Sequence, residues 1–262
     1  MKRSGLFFLA SLLMILLTGS RAAATPPLRE FYELRVYHLN GPAEEQRVDA
    51  FLKDAFIPAL HRAGVLKIGV FKPVESDTSS GKLVYVLIPF RTGDHYLKIQ
   101  DILQNDREYL EAGKQFLDAP YNDPPFIRYE SVFMKSFADM PEAVVPKLTG
   151  PLNERIYELR AYESATDAKA VKKIEMFNQG GEIKLFKKLG FNIVFFGEVL
   201  SGSIKPNLMY LTAYENMNAN TALWKSFVDS PEWKVLTEME EYKNTVSKIH
   251  KSYLHPAAYS EF

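Results

Sequence analysis

Two copies of one short polar pattern are the strongest candidates for chemistry in this sequence. Each copy places a glutamate, an arginine and a tyrosine at alternating positions of a predicted strand. The two sets are Glu33, Arg35 and Tyr37, and Glu158, Arg160 and Tyr162. Because alternate residues of a strand share one face, each set could bind a carboxylate ligand or tune a general acid or base. The same residues could instead form an ion-pair network that fixes how two sheets pack, and the presence of both copies favours this structural interpretation.

The histidines do not form a recognisable metal-binding motif. There is no HExxH sequence, and the last two histidines are five residues apart, which suits one face of neither a helix nor a strand. The five histidines are His38, His61, His95, His250 and His255. Among them, His38 ends the first predicted strand and is a candidate for a ligand pocket. We predict no metal and no other cofactor, although a single histidine is enough to ligate a haem.

Composition and the missing motifs exclude several other functions. The sequence has no GxSxG nucleophile elbow, no GxGxxG and no GxxxxGK[ST] phosphate loop. It has no cysteine, which excludes a thiolate nucleophile and disulfide bonds. The 32 Lys and Arg are balanced by 32 Asp and Glu, whereas a nucleic-acid binder needs a surplus of positive charge. We therefore expect a globular protein without a nucleic-acid partner.

Each candidate set lies on the first strand of a predicted strand, helix, strand, strand, helix, strand unit. The predicted strands of the first unit are 32–38, 66–71, 83–90 and 127–135. Apolar residues at helical spacing predict a helix over 44–63 that ends at Gly64, and an interrupted helical region follows from Asp94 to Gly113. This order is typical of a ferredoxin-like fold, in which both helices cover one face of an antiparallel sheet.

The second half of the chain repeats the first. Residues 31–37 and 156–162 are identical at five of seven positions, at an offset of 125 residues. Later matches at nearly the same offset are Tyr85 with Tyr210, Glu108-Tyr109 with Glu232-Trp233, and Ser131-Val132-Phe133 with Ser252-Tyr253-Leu254. Such a repeat predicts two homologous units, 28–137 and 153–262, separated by a linker at 138–152.

Strand alternation suggests how the two sheets would be used. In the first strand Tyr32, Leu34 and Val36 share the face that we expect to pack on the helices. That arrangement would place both Glu, Arg and Tyr sets on the opposite face. Two such sheets could then cover each other face to face as an internal pseudo-dimeric α+β barrel, with both sets between them.

The motif Tyr-Glu-Leu-Arg-x-Tyr that opens each unit resembles the start of a NIPSNAP domain. The helix end His61-Arg62-Ala63-Gly64, the strand Leu83-Val84-Tyr85 and the segment Ser230-Pro231-Glu232-Trp233 resemble that domain as well. The resemblance covers residues 28–262 as two tandem copies and implies the dimeric α+β barrel superfamily. That superfamily includes small-molecule monooxygenases, haem-dependent enzymes and proteins without a known activity. The resemblance transfers no catalytic residues to this chain.

The N-terminal segment has the features of a secretory signal peptide. Lys2 and Arg3 precede the uncharged apolar run Leu6–Leu17, and Ala22 and Ala24 fit the small-x-small cleavage pattern. The run of twelve residues is shorter than the roughly 20 that a transmembrane helix needs. We therefore predict cleavage of residues 1–24 and export to the periplasm or the exterior, as in bacterial exported members of the family. Cleavage would leave a mature chain with a net charge of −3 and no membrane span.

The aromatic residues of the predicted strands suggest what the barrel could hold. They are Tyr32, Tyr37, Tyr85, Phe90, Tyr157, Tyr162, Phe195, Phe196, Tyr210 and Tyr214. A cavity lined by aromatic side chains and a few polar groups is a usual form of small-molecule site. We therefore expect a binding module for a small apolar or aromatic ligand between the two sheets, in a protein that could form a homo-oligomer. The alternatives are a cofactor-independent oxygenase or isomerase, and an interaction protein whose barrel is filled.

Overall fold

The strands of this sequence close into a barrel in the computed structural model, which describes residues 28–262. They are β1 Phe31–His38, β2 Gly69–Pro73, β3 Leu83–Phe90, β4 Arg128–Ser136, β5 Ile156–Glu163, β6 Asn192–Ser201, β7 Asn207–Tyr214 and β8 Lys248–Pro256. Their order around the barrel is β1-β3-β2-β8-β5-β7-β6-β4, and each neighbouring pair is antiparallel. The predicted α+β class is confirmed. The predicted signal peptide at 1–24 lies outside the described residues.

Helices cover the outside of the barrel. In the first half they are α1 Pro42–Phe51, a π-helical segment Leu52–Phe56, α2 Ile57–Arg62, α3 Gly93–Gln104, α4 Arg107–Ala112 and α5 Lys114–Leu117. The first three are continuous and confirm the helix predicted over 44–63. Gly64 follows with a φ of 89°, a left-handed conformation that glycine adopts readily at a helix end.

Glycine and serine residues stand at helix boundaries in the second half. They are α6 Asp167–Phe177, α7 Glu182–Lys188, α8 Met217–Asp229, α9 Pro231–Glu238 and a 3₁₀ turn at Glu240–Tyr242. Gly181 separates α6 from α7 with a φ of 90°, a left-handed conformation that glycine adopts readily. The Ser230 side chain accepts a hydrogen bond from the Trp233 amide at 3.2 Å, and such an N-cap contributes about 1 kcal/mol.

The two halves join edge to edge as well as facing each other. Within the barrel, β4-β1-β3-β2 belong to the first half and β8-β5-β7-β6 to the second. Backbone hydrogen bonds between β2 and β8, and between β4 and β6, close the ring. A closed barrel removes the exposed strand edges that two separate sheets would leave. Among residues 28–262, no helix is long and apolar enough to cross a membrane.

The strand faces are the reverse of the predicted ones. Tyr32 and Leu34 lie inside the barrel, in a core that also contains Tyr157 and Leu159. Tyr37 lies on the other face and belongs to the core beneath the helices of the first half. Both faces of the sheet are therefore buried and rich in large side chains, so an apolar face does not by itself identify the side that the helices cover.

The hydrogen-bond register also corrects the match between Tyr85 and Tyr210. Tyr85 lies opposite Val36 inside the barrel. Tyr210 lies opposite Arg160 and belongs to the core beneath the helices of the second half. Tyr210 is therefore one residue away from the position that is equivalent to Tyr85. A shift of one residue moves a strand side chain to the opposite face of the sheet.

The last strand of each half shows the same one-residue shift. Glu33 lies opposite Phe133 of β4, and the equivalent Glu158 lies opposite Tyr253 of β8. Phe133 therefore corresponds to Tyr253, whereas the sequence match paired it with Leu254. The aromatic character of this position is retained in both halves.

One end of the barrel is closed by segments outside the strands. Within the predicted linker 138–152, the Val144 amide donates to the Val194 carbonyl at 2.9 Å. Ala143 is buried in the core inside the barrel together with Phe262, and Leu148 packs against the same core. These contacts cover the end of the barrel where β1 and β5 begin.

Candidate functional site

The hollow end of the barrel contains a cavity of about 280 Å³. It lies where β1 ends and where β3 and β7 begin, and residues 202–204 of the loop between β6 and β7 form part of its wall. Its apolar lining includes Leu34, Val36, Val132, Leu159, Ala161 and Met209. Successive side chains of a strand point to opposite faces of the sheet, and these residues lie at the positions that face the barrel interior. A small molecule here would bury apolar surface against several strands.

Two histidine–carboxylate pairs lie at the mouth of this cavity. His38 Nε2 is 2.7 Å from Glu130 Oε1, and His250 Nε2 contacts Glu163 Oε1. His38, Glu130 and His250 all line the cavity. His38 ends β1 and Glu163 ends β5, so the two halves use equivalent positions with histidine and acid exchanged. A histidine held by a carboxylate can accept or deliver a proton at its remaining nitrogen.

Asn207 lines the cavity and also has a buried, unpartnered polar atom. It is the first residue of β7, lies opposite Glu163, and is only 4% exposed. Its Oδ1 atom has no hydrogen-bond partner among the described residues. Nearby Tyr85 also lines the cavity, and burial raises the pKa of its hydroxyl group. At neutral pH this hydroxyl is therefore protonated and neutral.

The predicted Glu, Arg and Tyr set of the second half forms a buried network between β5 and the helices. Glu158 is 0% exposed. Its carboxylate accepts hydrogen bonds from Arg160 Nε at 2.6 Å, Asn220 Nδ2 at 2.7 Å, Trp224 Nε1 at 2.5 Å and the Tyr214 hydroxyl at 3.3 Å. The Arg160 guanidinium also lies 3.6 Å from the centre of the Trp224 ring. The network ties β5 and β7 to α8.

The first half has a smaller version of this network. Arg35 donates to both carboxylate oxygens of Glu33 at 3.1 and 3.2 Å, and the Ser131 hydroxyl donates to Glu33 at 2.8 Å. The Arg35 guanidinium lies 4.9 Å from the centre of the Phe56 ring. No indole or amide side chain among the described residues adds a further donor to Glu33, so this carboxylate has fewer partners than Glu158.

The two tyrosines of the sets also lie under the helices. Tyr37 packs edge to face against Phe126, with ring centres 5.3 Å apart. The Tyr162 hydroxyl accepts from Arg160 at 3.2 Å and lies 2.7 Å from the Tyr210 hydroxyl. Burial raises the pKa of both Tyr162 and Tyr210. All six members of the sets therefore lie between sheet and helices, and none of them lines the cavity.

Of the seven candidate site residues, only His38 lines the cavity. Sequence reasoning missed Glu130, Glu163 and Asn207, and it treated His250 only as a possible metal ligand. These residues share the inner faces of the strands with His38 and Ala161. The sequence does not show this, because the inner face can be identified only when the strand register is known. Within residues 28–262, no three His, Asp or Glu side chains are placed together to hold a metal ion.

Solved structures with the same fold cover most of this chain. A monooxygenase-like protein from Lactobacillus acidophilus superposes with a TM-score of 0.56 at 12% identity, over 87% of this chain and 94% of that one. A monooxygenase-like protein from Fusobacterium nucleatum gives 0.54 at 8% identity, over 87% and 92%. An anthrone oxidase-like protein gives 0.51 at 10% identity, over 87% and 92%. At these identities the similarity establishes the fold only.

The barrel and its helices thus define an α+β barrel protein. Residues 157–261 match the NIPSNAP family model, and this part of the chain is therefore a NIPSNAP domain. The resemblance noted in the sequence is confirmed there. No curated protein sequence matches the chain significantly.

Proposed function

We propose that this protein is a binding module that holds a small, mainly apolar molecule in the open end of its barrel. The observation that carries the proposal is the cavity of about 280 Å³ in an interior that is otherwise filled. Ligand pockets usually enclose about 300–1,000 Å³, so the ligand would be at the small end of the range. Burial of its apolar surface, at about 25 cal/mol per Å², would supply most of the affinity.

The proposed organisation is a tandem of two NIPSNAP-like, ferredoxin-like units. The same order of elements in 28–137 and 153–262, and the central position of β1 and β5 in their sheets, support it. In this arrangement the second unit supplies the half of the barrel that a partner subunit would supply in a dimer. One chain then builds a complete cavity from both halves.

We also propose that the protein is exported. The support comes from the sequence of residues 1–24, with its short basic start, apolar run and small residues before the cleavage point. We expect the protein recovered from the periplasm or medium of an expressing bacterium to begin at Thr25. Intact-mass measurement would detect this. A full-length mass in the membrane fraction would contradict cleavage, and a full-length mass in the cytoplasm would contradict export.

A second candidate function follows from the histidine–carboxylate pairs. His38 with Glu130 and His250 with Glu163 border the apolar cavity from two sides. One pair could remove a proton from a carbon atom of a bound ligand, and the other could return a proton to a different carbon. That reaction is an isomerisation, and it needs no cofactor.

We assign no haem to the mouth of the cavity. The Nε2 atoms of His38 and His250 contact carboxylates, so a metal ion could approach each ring only at Nδ1. Neither candidate function needs a step on a cofactor.

The binding proposal is tested with a simple apolar fragment. Benzofuran has nine non-hydrogen atoms, and at about 0.5 kcal/mol per atom its dissociation constant would be near 0.5 mM. We expect titration of ¹⁵N-labelled protein to shift the backbone amide resonances of cavity residues such as Val36 and Ala161. Absence of any shift at these residues at millimolar benzofuran would contradict the proposal.

The two candidate functions are separated by the molecule that copurifies with the protein. Mass spectrometry before and after incubation at neutral pH shows whether it changes. An unchanged ligand supports the binding module, whereas conversion to a product of equal mass supports the isomerase. His61 lies outside the cavity and provides a control. Loss of conversion in His38→Ala, together with its retention in His61→Ala, would assign the reaction to the mouth of the cavity.

A further inference from the structure

We propose that the ligand is a small apolar acid, whose carboxylate is held at the mouth of the cavity by Arg128 and Lys248. This inference rests on the proposed binding function and specifies the chemical class of the ligand. The apolar body would occupy the cavity against Leu34 and Leu159, and the charged head group would remain at the surface of the protein. A hydrocarbon without a head group, or an amine, would not meet this description.

Arg128 and Lys248 occupy equivalent positions in the two halves of the barrel. Arg128 is the first residue of β4 and lies opposite the last residue of β1, and Lys248 is the first residue of β8 and lies opposite the last residue of β5. Three strands separate β4 from β8 in either direction around the ring, so the two residues lie on opposite sides of the mouth. A head group near the barrel axis would therefore lie between the two cations.

Both side chains start on the inner faces of their strands, where a ligand can reach them. Alternate residues of a strand share one face, so Arg128 is on the same face as Glu130, and Lys248 is on the same face as His250. Glu130 and His250 both line the cavity. Arg128 and Lys248 are themselves exposed, so their charged groups are accessible at the open edge of the barrel.

The acids at the mouth are already paired, whereas the two cations are not. Glu163 lies opposite Lys248, but its carboxylate contacts His250 instead. In the same way, the Glu130 carboxylate lies 2.7 Å from His38 Nε2. In the described part of the chain, neither cation forms an ion pair with an acid. Two positive charges at the mouth therefore remain free for an anionic ligand.

The exposure of the mouth suits a charged head group. A carboxylate is costly to transfer into an apolar interior, but at this level of the barrel it would stay in contact with water while its apolar body fills the cavity. Arginine and lysine both bind carboxylates, and arginine can do so through two parallel N–H donors. Two exposed ion pairs together correspond to about a fivefold gain in affinity. An ammonium group would be repelled by the same charges.

Two fragments that differ only in the charge of the head group test this inference. Indole-2-carboxylate and indole-2-carboxamide have the same number of non-hydrogen atoms and nearly the same shape, but only the first is an anion at neutral pH. We expect titration of ¹⁵N-labelled protein at low salt to show about fivefold tighter binding of the carboxylate. In about 1 M salt, where the Debye length is about 3 Å, the preference should fall below about twofold. Indole, which has no head group, should bind about as benzofuran does.

Variants of the two cations assign the preference. Arg128→Gln and Lys248→Gln each remove one charge, so we expect each to reduce the preference for the carboxylate and the double variant to abolish it. Binding of the carboxamide should not change, which also shows that the variants fold. Lys251→Gln is the matched control, because Lys251 is also exposed on β8 but lies opposite Arg160, on the outer face. This variant should retain the preference of the wild-type protein.

The outcomes distinguish this inference from the function on which it rests. If indole and both derivatives fail to bind the wild-type protein, the proposed binding function fails, and this inference fails with it. If the carboxylate and the carboxamide bind in the cavity with equal affinity, the cavity is a binding site that does not select an acid. A preference that persists in the double variant, or that is lost equally in Lys251→Gln, would overturn the assignment to Arg128 and Lys248. A preference that only the variants of these two residues remove supports both proposals.

Discussion

Replacement of Glu158 by alanine is expected to lower the free energy of unfolding by about 3–5 kcal/mol. This is the usual cost of removing one partner from a buried ion pair, because the other charge remains buried without compensation. Arg160 would be left in that state, since its side chain is only 13% exposed. Asn220 and Trp224 would also lose the acceptor for their N–H groups, and each unpaired donor adds to the cost. Denaturation in urea, followed by circular dichroism, measures the change.

The first half of the chain provides a matched control. Glu33 occupies the equivalent position, but its carboxylate is bound only by Arg35 and Ser131 among the described side chains. We expect Glu33→Ala to cost at least about 1 kcal/mol less than Glu158→Ala, because fewer donors lose their partner. Glu158→Gln should lie between wild type and Glu158→Ala, since an amide oxygen can still accept from the indole. Equal losses at both positions would contradict the proposed importance of the larger network.

The role and the location of the repeated Glu, Arg and Tyr sets could be predicted only in part from the sequence. Their recurrence favoured an ion-pair network between the two sheets, whereas the contacts of Glu158 join β5 to α8. Their location was predicted incorrectly. In β3, Val84 and Val86 face the helices while Tyr85 and Leu87 face the barrel interior. A strand that is apolar on both faces does not indicate in its alternation which face is which.

The cavity could not be predicted from the sequence, because its residues are brought together by the pairing of strands. Glu130 meets His38, and Glu163 meets His250, only because β1 pairs with β4 and β5 pairs with β8 in a particular register. A shift of one residue would turn these side chains outward. The element order and the helix boundaries are encoded locally, at residues such as Gly64, and could be predicted. Contacts between strands distant in the sequence could not.

Filling the cavity is expected to abolish ligand binding. Ala161 lies on the inner face of β5 opposite Met209 and His250, and it is 9% exposed. In Ala161→Phe the added ring would occupy much of the roughly 280 Å³ that the cavity provides. We expect the dissociation constants of indole and benzofuran to rise at least tenfold, which corresponds to about 1.4 kcal/mol or more. Titration of the ¹⁵N-labelled variant measures the loss.

The stability of this variant shows whether the space is truly empty. Insertion of a large side chain into a filled core costs about 1–3 kcal/mol, whereas a ring placed in an existing cavity buries apolar surface without displacing its neighbours. We therefore expect the free energy of unfolding of Ala161→Phe to remain within about 1 kcal/mol of wild type. Val171→Phe, on α6 at a position that is 59% exposed, places the same ring outside the barrel and should leave binding unchanged. If Ala161→Phe folds normally and still binds indole as wild type does, the ligand binds elsewhere, and the barrel is a structural core.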